Sequence, residues 1–189
     1  GLVLSVFSNE SLLNLEAGGR NVSWGNNMRM ENFTVISTLA DDSADVHIRW
    51  NNWQELLYKG DLRMLARLNR LAGQKQPQIA IDLFPATVIT GDTVWTINPG
   101  KILIDTTRTE LTNIRINHRD QFFKLSGIMS ELPDDRLDLE FNRFNLGNLN
   151  AILRSSGFKL GGVLNGHASV SGVYQNPLFT SQMNVDSLT

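Results

Sequence analysis

Apolar and polar residues alternate along most of this chain, and the alternation limits what the chain can fold into. Apolar side chains recur at every second position from Ile79 to Leu83 and again from Leu137 to Phe141. Side chains on an extended chain point in turn to the two faces of a sheet, so this period of two indicates strands with one apolar face. Turn residues separate about a dozen such runs, each roughly 5 to 12 residues long. The sequence therefore predicts an all-β antiparallel meander.

Two segments depart from simple alternation. Leucine and isoleucine fall at helical spacing over about residues 146–156, with Asn145 placed to cap the start and Gly157 to end the segment. This pattern predicts one short helix. Residues 58–70 alternate as a strand does but are rich in good helix formers, and we favour a strand there. Helix-joined parallel units are not indicated, which argues against an α/β enzyme scaffold.

Charge and composition exclude several classes of protein. The formal net charge is −2, with 17 basic and 19 acidic residues, so no strong field is available to gather nucleic acid. The chain has no cysteine, which excludes disulfides, thiolate catalysis and cysteine-based zinc sites. The sequence starts at Gly1 without an initiator methionine, and we expect residues 1–189 to be one section of a longer protein.

No residue pattern points to catalysis or to a cofactor. His47, His118 and His167 lie far apart in the sequence and form no metal-ligand pair. Neither a phosphate-binding glycine loop nor a nucleophile elbow is present. Trp50 and Trp95 continue the apolar faces of their own strands, which favours packing over sugar binding. We therefore expect a protein that is not an enzyme and that uses neither a metal nor a cofactor.

The stretch FKLGGVLNGHASVSGVY, residues 158–174, alternates like a strand but has glycines on its apolar side. Gly162, Gly166 and Gly172 each occupy a position where an apolar side chain is expected. Glycine inside a strand marks a bulge, a bend or a close approach by another group. We expect these glycines to permit sheet curvature, and the alternative is that they leave room for a ligand or for the neighbouring helix.

Three architectures are compatible with one apolar and one polar face. The first is a β-sandwich module that binds protein or glycan, in which two apolar faces pack together. An outer-membrane barrel is the second, but the aromatic residues here are scattered and do not form girdles at the strand ends. The third is a long sheet whose apolar face lines a groove for lipid. The residue pattern alone leaves the choice between sandwich and groove open.

Several stretches, taken in order, resemble a known family. They are PATVITGDTVWTINPGKILID, HRDQFFKLSGIMSELPDDRLDLEFNRFNLGNLNAIL and LGGVLNGHASVSGVYQNPLFTSQMNVDSL. Together they resemble the C-terminal region of the TamB family, the translocation and assembly module proteins, in the form found in Bacteroides-like bacteria. That family belongs to the AsmA-like group of bridge-like lipid transfer proteins. The resemblance is strong from about Gln78 onward and looser before it.

The resemblance implies a fold, a location and a function. It implies a periplasmic β-sheet curled into a U-shaped groove, called a β-taco, in a parent protein anchored in the inner membrane of a diderm bacterium. The implied partners are phospholipid or other acyl chains and, through the parent protein, an outer-membrane barrel of the Omp85 type. The implied function is shielding of lipid acyl chains, or of unfolded outer-membrane β-strands, during transport to and assembly of the outer membrane.

The groove hypothesis names the residues that would contact the acyl chain. These residues occupy the apolar positions of successive strands from Gln78 onward, and the predicted helix after Asn145 would cap or plug the groove. The predicted lining consists of Ile79, Ile81, Trp95, Ile97, Ile102, Ile104, Ile114, Ile116, Leu125, Leu137, Leu139, Phe141, Leu160 and Leu164.

Overall fold

The structure is a computed structural model that describes residues 2–9, 12–24, 28–52, 58–69, 77–150 and 159–186. These residues form β1 (Leu2–Ser8), β2 (Leu13–Trp24), β3 (Met28–Ala40), β4 (Ser43–Asn52), β5 (Tyr58–Asn69), β6 (Gln78–Leu83), β7 (Ala86–Thr90), β8 (Thr93–Ile97), β9 (Gly100–Ile104), β10 (Arg108–His118), β11 (Gln121–Ser130), β12 (Arg136–Asn145), β13 (Val163–Ser171) and β14 (Leu178–Asp186). A 3-10 helix spans Leu146–Leu149.

All described strands belong to one antiparallel sheet in which neighbours along the chain are neighbours in space. The one complication is the hairpin β6 to β9. Its arms are interrupted at Pro85 and Pro99, so β7 pairs with β8 and β6 with β9. Proline lacks the N–H that a sheet ladder needs, which explains a break in both arms. The predicted all-β meander is confirmed, and the two separate sheets of a sandwich are not found among the described strands.

The two segments that depart from simple alternation are described over residues 58–69 and 145–150. Residues 58–69 form β5, so the predicted strand is confirmed. The predicted helix begins where expected, since the Asn145 side chain accepts a hydrogen bond from the Gly147 N–H at 2.8 Å. Its described part is a single 3-10 turn, and residues 151–158 lie outside the described residues. The stretch 158–174 was predicted as one strand, but β13 covers only Val163–Ser171.

Two bulges curve the second half of the sheet. The pairing of β10 with β11 shifts between Leu111 and Ile114, and Asn113 inside that shift has a φ of 55°. The pairing of β12 with β13 shifts between Phe141 and Phe144 around Arg143, whose φ is 48°. A bulge adds one residue to one strand, which bends that strand and increases its twist. Both bulges therefore place curvature where successive apolar residues are three positions apart instead of two.

The polar face of the sheet carries cross-strand ion pairs. Arg63 of β5 donates two hydrogen bonds to Asp45 of β4, and Arg67 pairs with Asp82 of β6. The Arg63 guanidinium lowers the pKa of Asp45. The two arginines are exposed and the two aspartates partly exposed, so solvent screens each pair and its contribution is at most about 1 kcal/mol. The charges mark this surface as the side that faces water.

The turn between β9 and β10 is held by one carboxylate. Asp105 Oδ1 accepts hydrogen bonds from the Thr107 hydroxyl at 2.7 Å, the Thr107 N–H at 2.8 Å and the Arg108 N–H at 2.9 Å. These donors, the Thr107 hydroxyl foremost, lower the pKa of Asp105 below its ordinary value of 3.8. The ionised side chain therefore fixes the turn that joins two strands of the apolar face.

Replacing Asp105 with alanine is expected to lower the free energy of unfolding by about 1 kcal/mol at neutral pH, because charge-assisted hydrogen bonds are lost. The pKa of Asp105 is lower in the folded protein, so its contribution is present above the unfolded pKa and disappears as pH falls through the lowered value. Urea unfolding of Asp105→Ala and of the exposed control Thr106→Ala, measured at neutral and at acidic pH, checks this. An unchanged cost of Asp105→Ala in acid would contradict it.

Candidate apolar groove

Strand register places the predicted lining residues, except Leu160, on one face of the sheet. Directly paired residues of neighbouring strands share a face, so the pairings can be followed from strand to strand. Ile79 pairs with Ile104, and the next pair on that face, Ile81 with Ile102, continues to Leu111 of β10. The same face continues through the pairs Ile97–Ile116, Ile114–Leu125, Leu125–Leu139, Gly127–Leu137, Phe141–Gly166 and Phe144–Leu164, and Trp95 lies on it two residues before Ile97.

The apolar face is concave between β8 and β12. Neighbouring strands lie about 4.8 Å apart, so a flat sheet would hold side chains three strands apart about 14 Å from each other. Trp95 of β8 and Phe144 of β12 are separated by β10 and β11, yet their ring centroids are 5.7 Å apart. Only a sheet curled toward its apolar side brings these rings together. The curvature therefore gives the apolar face the form of a groove.

An aromatic cluster packs on the apolar face between β8 and β13. Trp95, Phe144 and Leu164 are its buried members, with exposed fractions of 7%, 9% and 8%. Leu146 of the 3-10 helix packs against the cluster. Partly buried neighbours complete it, namely Val88, Ile116, Phe123 and Phe141. The start of the predicted helix thus packs against this part of the apolar face.

At the opposite end of these strands, a tyrosine connects the turn after β13 to β10 and β11. Tyr174 lies in the turn after β13, and its hydroxyl donates a hydrogen bond to the Thr109 hydroxyl of β10 at 3.0 Å. The Tyr174 N–H also donates to the Ser130 carbonyl at the end of β11. The turn therefore reaches past β12 to the two strands beyond it, which is a second contact that requires curvature.

The three glycines singled out in the sequence have different positions. Gly166 lies inside β13, whereas Gly162 precedes that strand and Gly172 follows it; all three have positive φ. A Cβ on Gly166 would lie 2.1 Å from the Gln182 carbonyl oxygen of β14. The neighbouring strand therefore fills the space beside Gly166, so the glycine permits curvature and close approach and does not leave room for a ligand.

One end of the face is organised into two rows that cross four strand segments. The tryptophan row consists of Trp50, Gly60, Val88 and Trp95, which are paired in that order. The polar rim consists of Asn52, Tyr58, Thr90 and Thr93, which lie one row farther out and are likewise paired in order. Neither row contains a charged residue. The face thus changes from aliphatic to aromatic to uncharged polar toward this end.

Trp50 is held against a glycine and has an unsatisfied donor. A Cβ on Gly60 would lie 2.1 Å from the indole ring, so only glycine at this position lets the ring lie down on β5. The Trp50 side chain contacts Tyr58, with 5.6 Å between ring centroids. Its Nε1–H is buried without a hydrogen-bond partner, which costs about 1 to 3 kcal/mol. Burial raises the pKa of Tyr58, so its hydroxyl stays protonated at neutral pH.

Several residues of this face escaped the sequence prediction. Leu111 and Phe144 are buried on it, but each is separated from the next predicted lining residue by a bulge that shifts the alternation. Gly60 was missed because nothing in its own strand shows that a tryptophan from β4 covers it. A glycine paired with a large aromatic residue on the neighbouring strand would indicate such a contact, but the pairing must be known first.

Leu160 is the predicted lining residue that register does not place on the face. It precedes β13, and its backbone N–H and carbonyl both bond to the Asn150 side chain, at 2.7 and 2.8 Å.

The histidines lie in different parts of the sheet: His47 bonds to Asp61, and His118 bonds to the Val94 carbonyl. Within the described ranges, no group of three or more potential ligand side chains is placed to hold a metal.

The two outer strands expose apolar side chains. In β1, Leu4 and Val6 of the apolar face are 67% and 56% exposed, and in β14 Phe179 and Val185 are 57% and 53% exposed. Each of these strands pairs with only one other described strand. The apolar face is therefore packed in its centre and exposed on β1 and β14.

No helix in the described part of the chain is long and apolar enough to span a bilayer.

When the chain is compared with known proteins, no family model, no curated protein and no solved structure matches it.

Proposed function

We propose that this chain is a non-enzymatic section of a longer TamB-like groove protein of the periplasm, whose apolar face shields lipid acyl chains on their way to the outer membrane. The observation that carries the proposal is one apolar face that continues from strand to strand across a single curled sheet. A lipid tail needs such a surface along its length, and the charged opposite face is suited to water.

The energetics of an apolar groove suit transport. Each methylene moved out of water gains about 0.8 kcal/mol, so even partial enclosure holds an acyl chain. The aliphatic rows of the apolar face, such as Ile81, Ile102 and Leu111, have no side-chain hydrogen-bonding group that would fix the acyl chain in one position. The acyl chain can therefore slide along the face. Such movement requires neither catalysis nor a cofactor.

Unfolded outer-membrane β-strands are a second candidate cargo. Among the described strands, β1 and β14 are paired along one edge, so the other edge presents N–H and carbonyl groups that an extended segment can pair with, whether it comes from the parent protein or from a cargo. In the parent protein, an Omp85-type barrel is the partner that the family resemblance implies. The acyl-chain function rests on the interior of the face, whereas strand capture would rest on its edges.

The test is photo-crosslinking at matched positions on the two faces. A crosslinking amino acid at Leu139 or Ile104, in protein exported to the periplasm of a diderm host, is expected to form phospholipid adducts detectable by mass spectrometry. The same group at Asp138, which points to the opposite face, is the control. Phospholipid in an organic extract of the purified protein is the independent readout.

The outcomes separate the candidate functions. Lipid adducts at Leu139 and Ile104 but not at Asp138 support the groove. Protein adducts at positions in β1 or β14, without lipid at Leu139, favour strand capture. Absence of lipid at every position together with protein adducts at Asp138 would favour an interaction or glycan-binding module of the cell envelope and would reject the proposed function.

A further inference from the structure

The polar rim and the tryptophan row form an amphipathic boundary at one end of the apolar face. Toward the interior, the next row consists of the aliphatic residues Ile48, Leu62, Ala86, Ile97 and Ile116. Toward the outside, the rim carries the hydroxyls of Tyr58, Thr90 and Thr93 and the Asn52 amide, whose oxygen accepts a hydrogen bond from the Glu31 N–H. An amphiphile whose tail lies on the aliphatic rows would place its first polar atoms at this boundary.

We propose that the tryptophan row and the polar rim bind the ester region of a glycerolipid, with the acyl chain running inward over the aliphatic rows. This inference rests on the proposed function and adds to it the position and chemistry of the lipid's polar end. The occupant is an ester-linked lipid, and a free fatty acid is the alternative that the test excludes or selects.

Two donors supply the chemistry. The Trp50 Nε1–H is buried and lacks a partner, and an ester carbonyl oxygen is an acceptor it could satisfy. Tyr58 lies against the same indole and carries a protonated hydroxyl. The indole lies directly on Gly60, so its N–H reaches an ester carbonyl only if the ring moves when the lipid binds.

Charge decides between an ester and an acid. The eight residues of the two rows include no cation that would neutralise a carboxylate. Asp92 precedes Thr93 in the chain, accepts a hydrogen bond from the Thr93 hydroxyl at the rim and would repel an anion. His118 lies beside Trp95, but one of its ring nitrogens is bonded to the Val94 carbonyl. An uncharged acceptor therefore fits this boundary better than an anionic one.

Tryptophan quenching by brominated monoacylglycerol tests the orientation. The variant Trp24→Phe/Trp53→Phe retains only Trp50 and Trp95, both in the tryptophan row. Bromine placed near the ester is expected to quench their fluorescence more strongly than bromine near the terminal methyl group. Equal or reversed quenching by a lipid that binds would overturn the inference. If no lipid binds and none is found in the organic extract, the proposed function itself fails.

A second measurement tests the donors. Tyr58→Phe is expected to weaken binding of methyl oleate about threefold to tenfold, the effect of one lost hydrogen bond, and to leave oleate binding unchanged. Tyr174→Phe removes a hydroxyl that is bonded to Thr109 at the other end of the sheet and serves as the control. Unchanged methyl oleate affinity in a folded Tyr58→Phe protein, or tighter binding of oleate than of its ester by the unmodified chain, would contradict the inference.

Discussion

Replacement of Gly166 by valine is expected to lower the free energy of unfolding by at least about 3 kcal/mol. Gly166 has a φ of 122°, a conformation that a β-branched residue adopts only under strain. Its Cβ would also lie 2.1 Å from the Gln182 carbonyl oxygen and 2.8 Å from the Met183 Cα, both backbone atoms of β14. Either β14 moves away or the bend in β13 straightens. The measurement is urea unfolding followed by tryptophan fluorescence.

Gly161, five residues before Gly166, provides a matched control. Gly161 is exposed, and no atom lies within 4 Å of the position that its Cβ would occupy. Gly161→Val is expected to change the unfolding free energy by less than about 0.5 kcal/mol. If Gly166→Val were as stable as Gly161→Val but lost bound lipid, the space beside Gly166 would belong to a ligand and the curvature argument would be wrong.

Replacement of Trp95 by alanine is expected to lower the free energy of unfolding by about 3 to 5 kcal/mol, because it empties the centre of the aromatic cluster. Val94, its neighbour on the opposite face, is 47% exposed, and Val94→Ala is expected to cost less than about 1 kcal/mol. Urea unfolding of both variants gives the comparison. A small effect of Trp95→Ala would mean that the cluster does not hold the sheet in its curled form.

A double-mutant cycle tests the curvature more directly. Trp95 and Phe144 touch although two strands lie between them, so their coupling exists only if the sheet is curled. Trp95→Ala, Phe144→Ala and the double variant are expected to show a coupling energy of about 0.5 to 1.5 kcal/mol. Additive effects would indicate that the two rings do not meet in solution.

Strand content was predictable because alternation is a local property. Each of the runs that became β6, β9, β11 and β12 shows its apolar face within the strand itself. The strand over residues 58–69 was the ambiguous case, because Leu, Met, Ala and Arg also form helices well. Its pairing with β4, β6 and β7 resolves that ambiguity, since tertiary contacts outweigh the small differences in helix propensity.

The site was only partly predictable. Register groups Ile79 with Ile104 and Leu125 with Leu139, as the alternation suggested. Leu111 and Phe144 were missed because a bulge changes which positions face inward, and a spacing of three between apolar residues does not by itself show that the strand pairing shifts there. The row that joins Trp50 to Trp95 could not be derived from the sequence, because four strand segments must first be placed in register.

The sequence by itself determined that this chain forms an antiparallel meander with one apolar and one polar face, since side-chain direction in a strand depends only on residue parity. Tertiary structure alone decided where that parity shifts, which residues of distant strands form common rows, and which way the sheet curls. Register and curvature depend on hydrogen bonds and side-chain contacts between strands. The contact of Trp95 with Phe144, 49 residues apart in the chain, is therefore a property of the folded sheet.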